Sequence, residues 1–397
     1  MNPYLDRLQP YPFQKLSSLV REIKPNPSYG EIILSIGEPK HATPEFIKQA
    51  LTSNLDGLAK YPTTLGSEAL RLTISDWLKR RYSLDLINPQ TQVLPVNGSR
   101  EALFSFAQAI VNPTNRDAIV VCPNPFYQIY EGAAILAGST PHFINTLAQN
   151  NFAHDFDQLP KAVWQRIELI YVCSPGNPTG AVITLEEWKK LFALSDQHGF
   201  VIASDECYSE IFFDEQKPPI GALQAAKLLG RDGFPRLVVF SSLSKRSNVP
   251  GMRSGFVAGN AEILEKYLAY RTYHGCAMNP AVQAASLAAW KDEDHVVDNR
   301  RLYREKFMEM ARVLRTKLEI RVPEGGFYLW VKTPINDIEF ARKLYRHYNV
   351  LVLPGSYLAR EARSVNPGAS FVRIALVPNL DECVEAAKRI NDFLYQL

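Results

Sequence analysis

The sequence predicts an α/β fold: a mainly parallel central sheet flanked by helices, with a smaller α+β domain beside it. Three observations carry this. From about residue 93 to 260, short runs rich in Val and Ile alternate with helical segments. Those runs lack strict apolar–polar alternation, as do strands buried on both faces of a parallel sheet. Beyond Asn279 the alternation gives way to long helices, three strand-like runs and a closing helix, the order of an α+β unit.

The strand candidates, in order, are "QVLPV", "DAIVVC", "ELIYVC", "FVIAS", "RLVVFSS" and "SGFVAG". Helices are expected between them, among them "SREALFSFAQAIV" and "TLEEWKKLFALSDQHG". The second carries its own boundaries: Thr184 as N-cap with Glu187 three residues on, and Gly199 at its end. After Asn279, "PAVQAASLAAW" and "NRRLYREKFMEMARVLRTKL" read as helices, "GGFYLWV", "VLVLPG" and "SFVRIALV" as strands, and "LDECVEAAKRINDFLYQL" as an amphipathic helix. The N-terminal arm through about Thr43 is expected to pack with this second unit. That gives a large domain over 44–285 and a small one made of 1–43 and 286–397.

The chain has 397 residues, 46% of them hydrophobic and 21% charged, with a net charge of +3. A balance this close to neutral, with no Lys/Arg run, argues against nucleic acid or an anionic membrane as partner. No apolar run is long enough to span a bilayer. The opening "MNPYLDRLQPYPFQKL" has charges and prolines where a signal peptide needs an apolar stretch, so a cytoplasmic protein is expected. Five dispersed cysteines with no CxxC pair suggest neither a disulfide framework nor a metal site. Cys122 and Cys173 close apolar runs and read as buried small hydrophobes.

In an open parallel sheet, ligands bind beyond the carboxyl ends of the strands. The segments that follow those ends are "NGSRE", "PNPFYQIY", "SPGNPTG", "DECYSEI" and "LSKRSNVPGMRSG". They bring together Ser99, Tyr127, Asn177, Asp205, Tyr208, Ser242, Ser244, Lys245 and Arg253. Gly98-Ser99-Arg100 opens a helix, whose free N–H groups favour an anion. Ser242, Ser244 and Arg253 add hydroxyls and a fork suited to phosphate. Lys245 offers an amine able to form a Schiff base with an aldehyde. Asp205 suits a protonated ring nitrogen, and Tyr127 a ring face. Each residue alone also fits an ordinary turn, cap or core role. Pyridoxal 5′-phosphate accounts for all of them together.

These motifs resemble the class I/II aminotransferases of pyridoxal-phosphate fold type I over nearly the whole chain. "SPGNPTG", "SDECYSEI" and "SSLSKRSNVPGMRSG" are the most specific. The resemblance implies that Lys245 is the Schiff-base lysine and that Asp205 partners the pyridine nitrogen. It places Tyr208 and Asn177 on the ring oxygen, Tyr127 on the ring face, and Ser99, Arg100, Ser242, Ser244 and Arg253 on the phosphate. Tyr61, in "KYPTTLGSEALR", matches a tyrosine that reaches the neighbouring subunit's cofactor, which implies a homodimer with shared sites. Arg373, in "SFVRIAL", and Gly37, in "IGEPK", match groups that hold the substrate α-carboxylate, with Asn177 also on the substrate side. Freed Lys245 then serves as general base and acid at the substrate α-carbon.

"MNPYLDRLQPYPFQKL", "IGEPKHATP", "VNGSREALF" and "CPNPFYQIYEGAA" are similar, more narrowly, to the succinyldiaminopimelate aminotransferases of bacterial lysine and diaminopimelate biosynthesis. That implies glutamate as amino donor and N-succinyl-2-amino-6-oxopimelate as acceptor. Arg21, Lys24 and Arg271 are the candidate cations for the acceptor's remote carboxylates. The alternatives are an aspartate or other amino-acid aminotransferase and a carbon–sulfur β-lyase of the same fold. A regulator built on this fold would need a basic helix-turn-helix segment, and the pattern leaves none spare. A nicotinamide dehydrogenase is disfavoured because "VNGSREAL" lacks G-x-G-x-x-G at the first strand–helix junction.

Overall fold

The strands of the computed structural model, which describes residues 1–397, follow the apolar runs closely. They are β1 (Ile32–Ile33), β2 (Val93–Val96), β3 (Ile119–Asn124), β4 (Thr140–Asn145), β5 (Ile167–Cys173), β6 (Val201–Asp205), β7 (Leu237–Ser242), β8 (Gly255–Gly259), β9 (Tyr328–Lys332), β10 (Val350–Leu351), β11 (Leu353–Pro354) and β12 (Phe371–Ala375). Seven of them form one sheet in the order β2-β8-β7-β6-β5-β3-β4. Strand β8 is antiparallel to both neighbours, and every other pairing in this sheet is parallel. The carboxyl ends of β2, β3, β5, β6 and β7 therefore share one edge. Because β8 runs the other way, its entry point beside Arg253 lies at that same edge.

The lack of alternation in the sequence has a direct cause. Ile119, Val121, Ile170, Val172, Leu237 and Val239 pack into a core of 39 buried residues on one face, with helices Glu68–Tyr82, Leu185–His198 and Pro280–Lys291. Val120, Cys122, Leu169, Tyr171, Val238 and Phe240 pack into a second core of 22 on the other face, with helices Ser99–Ile110, Ile129–Leu136 and Ala261–His274. Both sides of each strand are dry, so both positions of the pleat are apolar. Cys122 and Cys173 are buried without disulfide partners, as the sequence suggests.

Helix Leu185–His198 has the expected ends. Thr184 Oγ1 accepts from the Glu187 N–H, the Glu187 carboxylate accepts from the Thr184 N–H, and Gly199 takes φ +81°. A three-stranded antiparallel sheet, β11-β12-β9, lies under helices Asp294–Leu314, Asp337–Tyr348 and Leu380–Tyr395 around a third core of 23 residues. The arm joins this core: β1 pairs in parallel with β10, and Ile32 and Leu34 are buried in it. No helix of the chain is long and apolar enough to cross a membrane.

Candidate active site

A cavity of about 630 Å³ opens where the strand ends meet. It is lined by Ser99, Arg100, Tyr127, Asn177, Asp205, Tyr208, Ser242, Ser244, Lys245 and Arg253, and by Gly37 and Arg373 from the arm and β12. Tyr61 does not reach it; that side chain is fully exposed.

At one end of the cavity, helix Ser99–Ile110 begins without a side-chain cap, so its first N–H groups remain open to a ligand. Gly98, at φ +85°, is closely approached there: a Cβ built on it would collide with the Arg253 guanidinium. Arg253 itself sits at φ +54°, a left-handed conformation that costs a non-glycine residue about 1–2 kcal/mol. It donates only to main-chain oxygens, Pro250 O at 2.8 Å and Asn97 O at 3.4 Å. Ser242 Oγ donates to Ser244 Oγ at 2.9 Å beside it.

Lys245 follows β7 by three residues and donates through Nζ to Gly37 O at 2.6 Å. Burial, with the Arg373 and Arg100 charges beside it, brings its amine down to about 8. Asp205, at the end of β6, is buried and forms no ion pair. Its Oδ2 accepts from Tyr130 OH at 2.6 Å and its Oδ1 from the Cys207 N–H at 3.2 Å. Burial pushes this carboxyl up, while the hydrogen bonds from Cys207 and Tyr130 and the Lys245 charge pull the other way.

Arg373 projects from the middle strand of the small sheet and is only 3% exposed. It donates to Asn177 Oδ1 at 3.0 Å and to Ser35 O at 2.8 Å, and its Nε has no partner. A buried guanidinium satisfied only by neutral oxygens is poised for an anion. Tyr328 packs against it, 4.3 Å from ring centroid to Cζ, and shares a 3.0 Å hydrogen bond with Tyr208 OH.

The family pattern of aminotransferase class I and II matches residues 30–390. The chain belongs to that family. An LL-diaminopimelate aminotransferase from Aquifex aeolicus is 34% identical to this aminotransferase, over 99% of each chain. The crystal structure of an aminotransferase from Neisseria meningitidis is 50% identical and superposes with a TM-score of 0.96, covering 99% of this chain and 100% of that one. A probable N-succinyldiaminopimelate aminotransferase from Thermus thermophilus is 28% identical with a TM-score of 0.84, covering 96% and 99%.

Aminotransferases of this family act on amino acids and keto acids with pyridoxal 5′-phosphate. The donor set fits that cofactor. An uncapped helix start, two serine hydroxyls and an unpaired guanidinium suit a phosphate. The depressed Lys245 amine suits an aldehyde, and the buried, unpaired Asp205 carboxylate suits a cationic ring nitrogen.

The candidates for the remote carboxylates require correction. Arg271 is buried, and its guanidinium is occupied by Glu101, Nη1 to Oε2 at 2.8 Å and Nη2 to Oε1 at 2.9 Å. Glu101 Oε1 in turn accepts from the Asn97 N–H, so Arg271 braces the helix start instead of reading substrate. Arg21 and Lys24 are exposed and lie outside the cavity. The cavity instead shows polar groups that sequence reasoning passed over: Tyr11, Glu38 and Gln128 in its wall, and Tyr130 behind Asp205.

Proposed function

We propose that this aminotransferase moves an amino group from glutamate onto N-succinyl-2-amino-6-oxopimelate, in diaminopimelate and lysine biosynthesis. One observation carries the choice of substrate. The four segments that resemble the succinyldiaminopimelate enzymes all reach the cavity, through Tyr11 and Phe13, Gly37 and Glu38, Ser99 and Arg100, and Tyr127 and Gln128. Of these, Tyr11, Phe13, Glu38 and Gln128 have no cofactor role in this reading and are free to face the substrate.

In this reading Ser99, Arg100, Ser242, Ser244 and Arg253 hold the phosphate, Tyr127 covers the ring, and Asn177 and Tyr208 face its oxygen. Asp205 holds the ring nitrogen protonated, and Lys245 is the amine that takes the aldehyde. When bound, the cofactor supplies an electron sink for the substrate α-carbon. Arg373, Asn177 and the Gly37 backbone fix the α-carboxylate, which turns the α-hydrogen towards Lys245. Lys245, near neutrality at its lowered pKa, can take that proton and return it. Holding the carboxylate in a fork also keeps it away from the amine, which favours amino transfer over decarboxylation.

A second reading uses the substrate without its succinyl group. The Aquifex relative and the Glu38 carboxylate in the cavity wall favour it, since Glu38 can pair with a free remote ammonium. The two readings separate in the reverse direction. With 2-oxoglutarate as acceptor, N-succinyl-LL-diaminopimelate is expected to exceed both LL-diaminopimelate and aspartate by at least about tenfold in kcat/KM, or about 1.4 kcal/mol. A lead for LL-diaminopimelate establishes the second reading. A lead for aspartate makes the protein an aspartate aminotransferase and leaves the cofactor roles unaltered.

The proposed molecule is a cytoplasmic homodimer, with units of 44–285 and of 1–43 plus 286–397. Fully exposed Tyr61 is the residue that would cross to the partner's site. Mixing inactive Tyr61→Ala with inactive Lys245→Ala protein is expected to restore activity, because one site of each hybrid regains both residues. Verified subunit exchange without recovery would remove Tyr61 from the site.

A further inference from the structure

We infer that His41, held in one tautomer between Lys306 and Asn299, is a positioning residue for the main chain of Lys245. The inference rests on the reading of Lys245 as the reacting amine. Asn299 and Lys306 lie seven residues apart, two turns along one face of helix Asp294–Leu314. His41 sits between them, its ring centroid 4.5 Å from that of Tyr303 on the same helix. Its Nε2 is 2.6 Å from Lys306 Nζ and its Nδ1 is 2.7 Å from Asn299 Oδ1.

The direction of each bond is determined. Asn299 Nδ2 donates to the carbonyls of Lys245 at 3.1 Å and Arg246 at 3.4 Å, so Oδ1 is the atom that faces His41. Asn248 Nδ2 also donates to that Oδ1, at 3.1 Å. His41 must then carry its proton on Nδ1, and bare Nε2 accepts from Lys306. The result is a one-way chain from Lys306 through His41 and Asn299 to the carbonyl of Lys245. Burial, reinforced by the Lys306 charge, holds His41 below its usual range and the ring neutral.

Lys306 marks this chain as more than packing. It is 3% exposed, has no carboxylate partner, and its other acceptor is Val377 O at 3.3 Å. Burial brings its amine down to about 8, with Lys40 adding to the fall and Cys383 and Glu382 opposing it. A buried cation with neutral partners is less favourable than an apolar side chain of the same length.

The segment from Gly37 to Thr43 grips the lysine loop at three points. Gly37 O accepts from Lys245 Nζ, His41 acts through Asn299 on Lys245 O, and Thr43 Oγ1 donates to Asn248 O at 2.8 Å. One stretch of chain thus sets both the amine and the backbone that carries it. Positioning errors of about 1 Å cost up to about a hundredfold in rate.

The test compares His41→Leu, His41→Gln and Lys306→Met in the full-length holoenzyme. His41→Leu is expected to lower kcat at least about tenfold with the glutamate KM within about twofold. Glutamine can donate to Asn299 and accept from Lys306, so His41→Gln should stay within about threefold of the parent. Lys306→Met should move kcat in the same direction as His41→Leu, and it decides the matter if His41→Leu does not fold. A second readout needs no cofactor: in the apoprotein, the pH midpoint for acylation of the Lys245 amine should shift in His41→Leu and not in His41→Gln. Unchanged kcat in the leucine and methionine variants, equal losses in the leucine and glutamine variants, or an unmoved Lys245 midpoint would each overturn the inference. If the cofactor is found on another lysine, the reading of Lys245 fails, while the apoprotein shift still reports on the His41 chain.

Discussion

Replacing Lys245 with alanine is expected to abolish amino transfer, by more than about ten-thousandfold in kcat, without unfolding the protein. On the reading proposed for Lys245, two functions vanish together in this variant, the amine that takes the cofactor's aldehyde and the base at the α-carbon. The fold should not suffer. The folded chain holds this amine at about 8 against an ordinary 10.5, so the unfolded chain binds more protons between those values. The stability contributed by the neutral amine is full above 10.5 and is lost as pH falls through 8. At pH 7 the partly buried ammonium is therefore a net cost to the folded chain, and its removal relieves that cost. The cofactor-free variant should melt no lower than the parent at pH 7, measured by scanning calorimetry. Borohydride reduction of the parent followed by peptide mapping should place the cofactor on Lys245. A label on any other lysine, or measurable turnover in the variant, would refute the assignment.

Much of the fold was legible because burial on both sheet faces writes itself into composition. Strands β3, β5, β6, β7 and β8 were each visible as apolar runs, and so was β2, despite Pro95. Strand β4 was not seen. It lies at the sheet edge, has exposed or half-buried residues over Thr140–Phe143, and contains Pro141, which an edge position tolerates. The reversed direction of β8 was also invisible, since pleat and burial are the same for either direction. Yet it matters for the site, because it brings Arg253 to the edge where the other strands end. Nine residues of the cavity, from Ser99 to Arg253, could be gathered from the sequence through one rule about strand ends, whereas Gly37 and Arg373 lie on the arm and the small sheet and came from the family resemblance alone. Arg271 was misjudged because its partner, Glu101, lies 170 positions away in sequence and meets it only in the folded chain. Tyr130 and the chain from Lys306 to Lys245 were hidden for the same reason. Each depends on a contact between elements, and no local spacing announces it.

Asp205→Ala is expected to lower kcat about a thousandfold, while Asp205→Glu should lose no more than about a hundredfold. The difference isolates charge from shape. Asp205 is a buried carboxylate with no cation in salt-bridge contact, and its hydrogen-bond donors are the Tyr130 hydroxyl and the Cys207 N–H. Burial alone favours the neutral acid, so the site gains most when a positive group faces it. The cofactor's protonated ring nitrogen is such a group, and a preorganised electrostatic partner in a dry site typically lowers the barrier by about 3–4 kcal/mol. Alanine removes the charge and leaves the Tyr130 hydroxyl without its acceptor. Glutamate keeps the charge and shifts it by one methylene. Steady-state kcat for both variants, with cofactor saturation checked by absorbance, measures the contrast. If alanine and glutamate cost the same, the position matters for its shape. If alanine retains near-normal turnover, Asp205 does no more than cap the turn at Cys207, and the positive group must be balanced elsewhere. The Tyr130 bond gives an independent reading: Tyr130→Phe removes one donor from a carboxylate that burial already disfavours, so it should weaken turnover in the same direction as Asp205→Ala, by a smaller factor of about ten. An effect of Tyr130→Phe in the Asp205→Ala background as large as in the parent would show that the phenol acts on something other than this carboxylate.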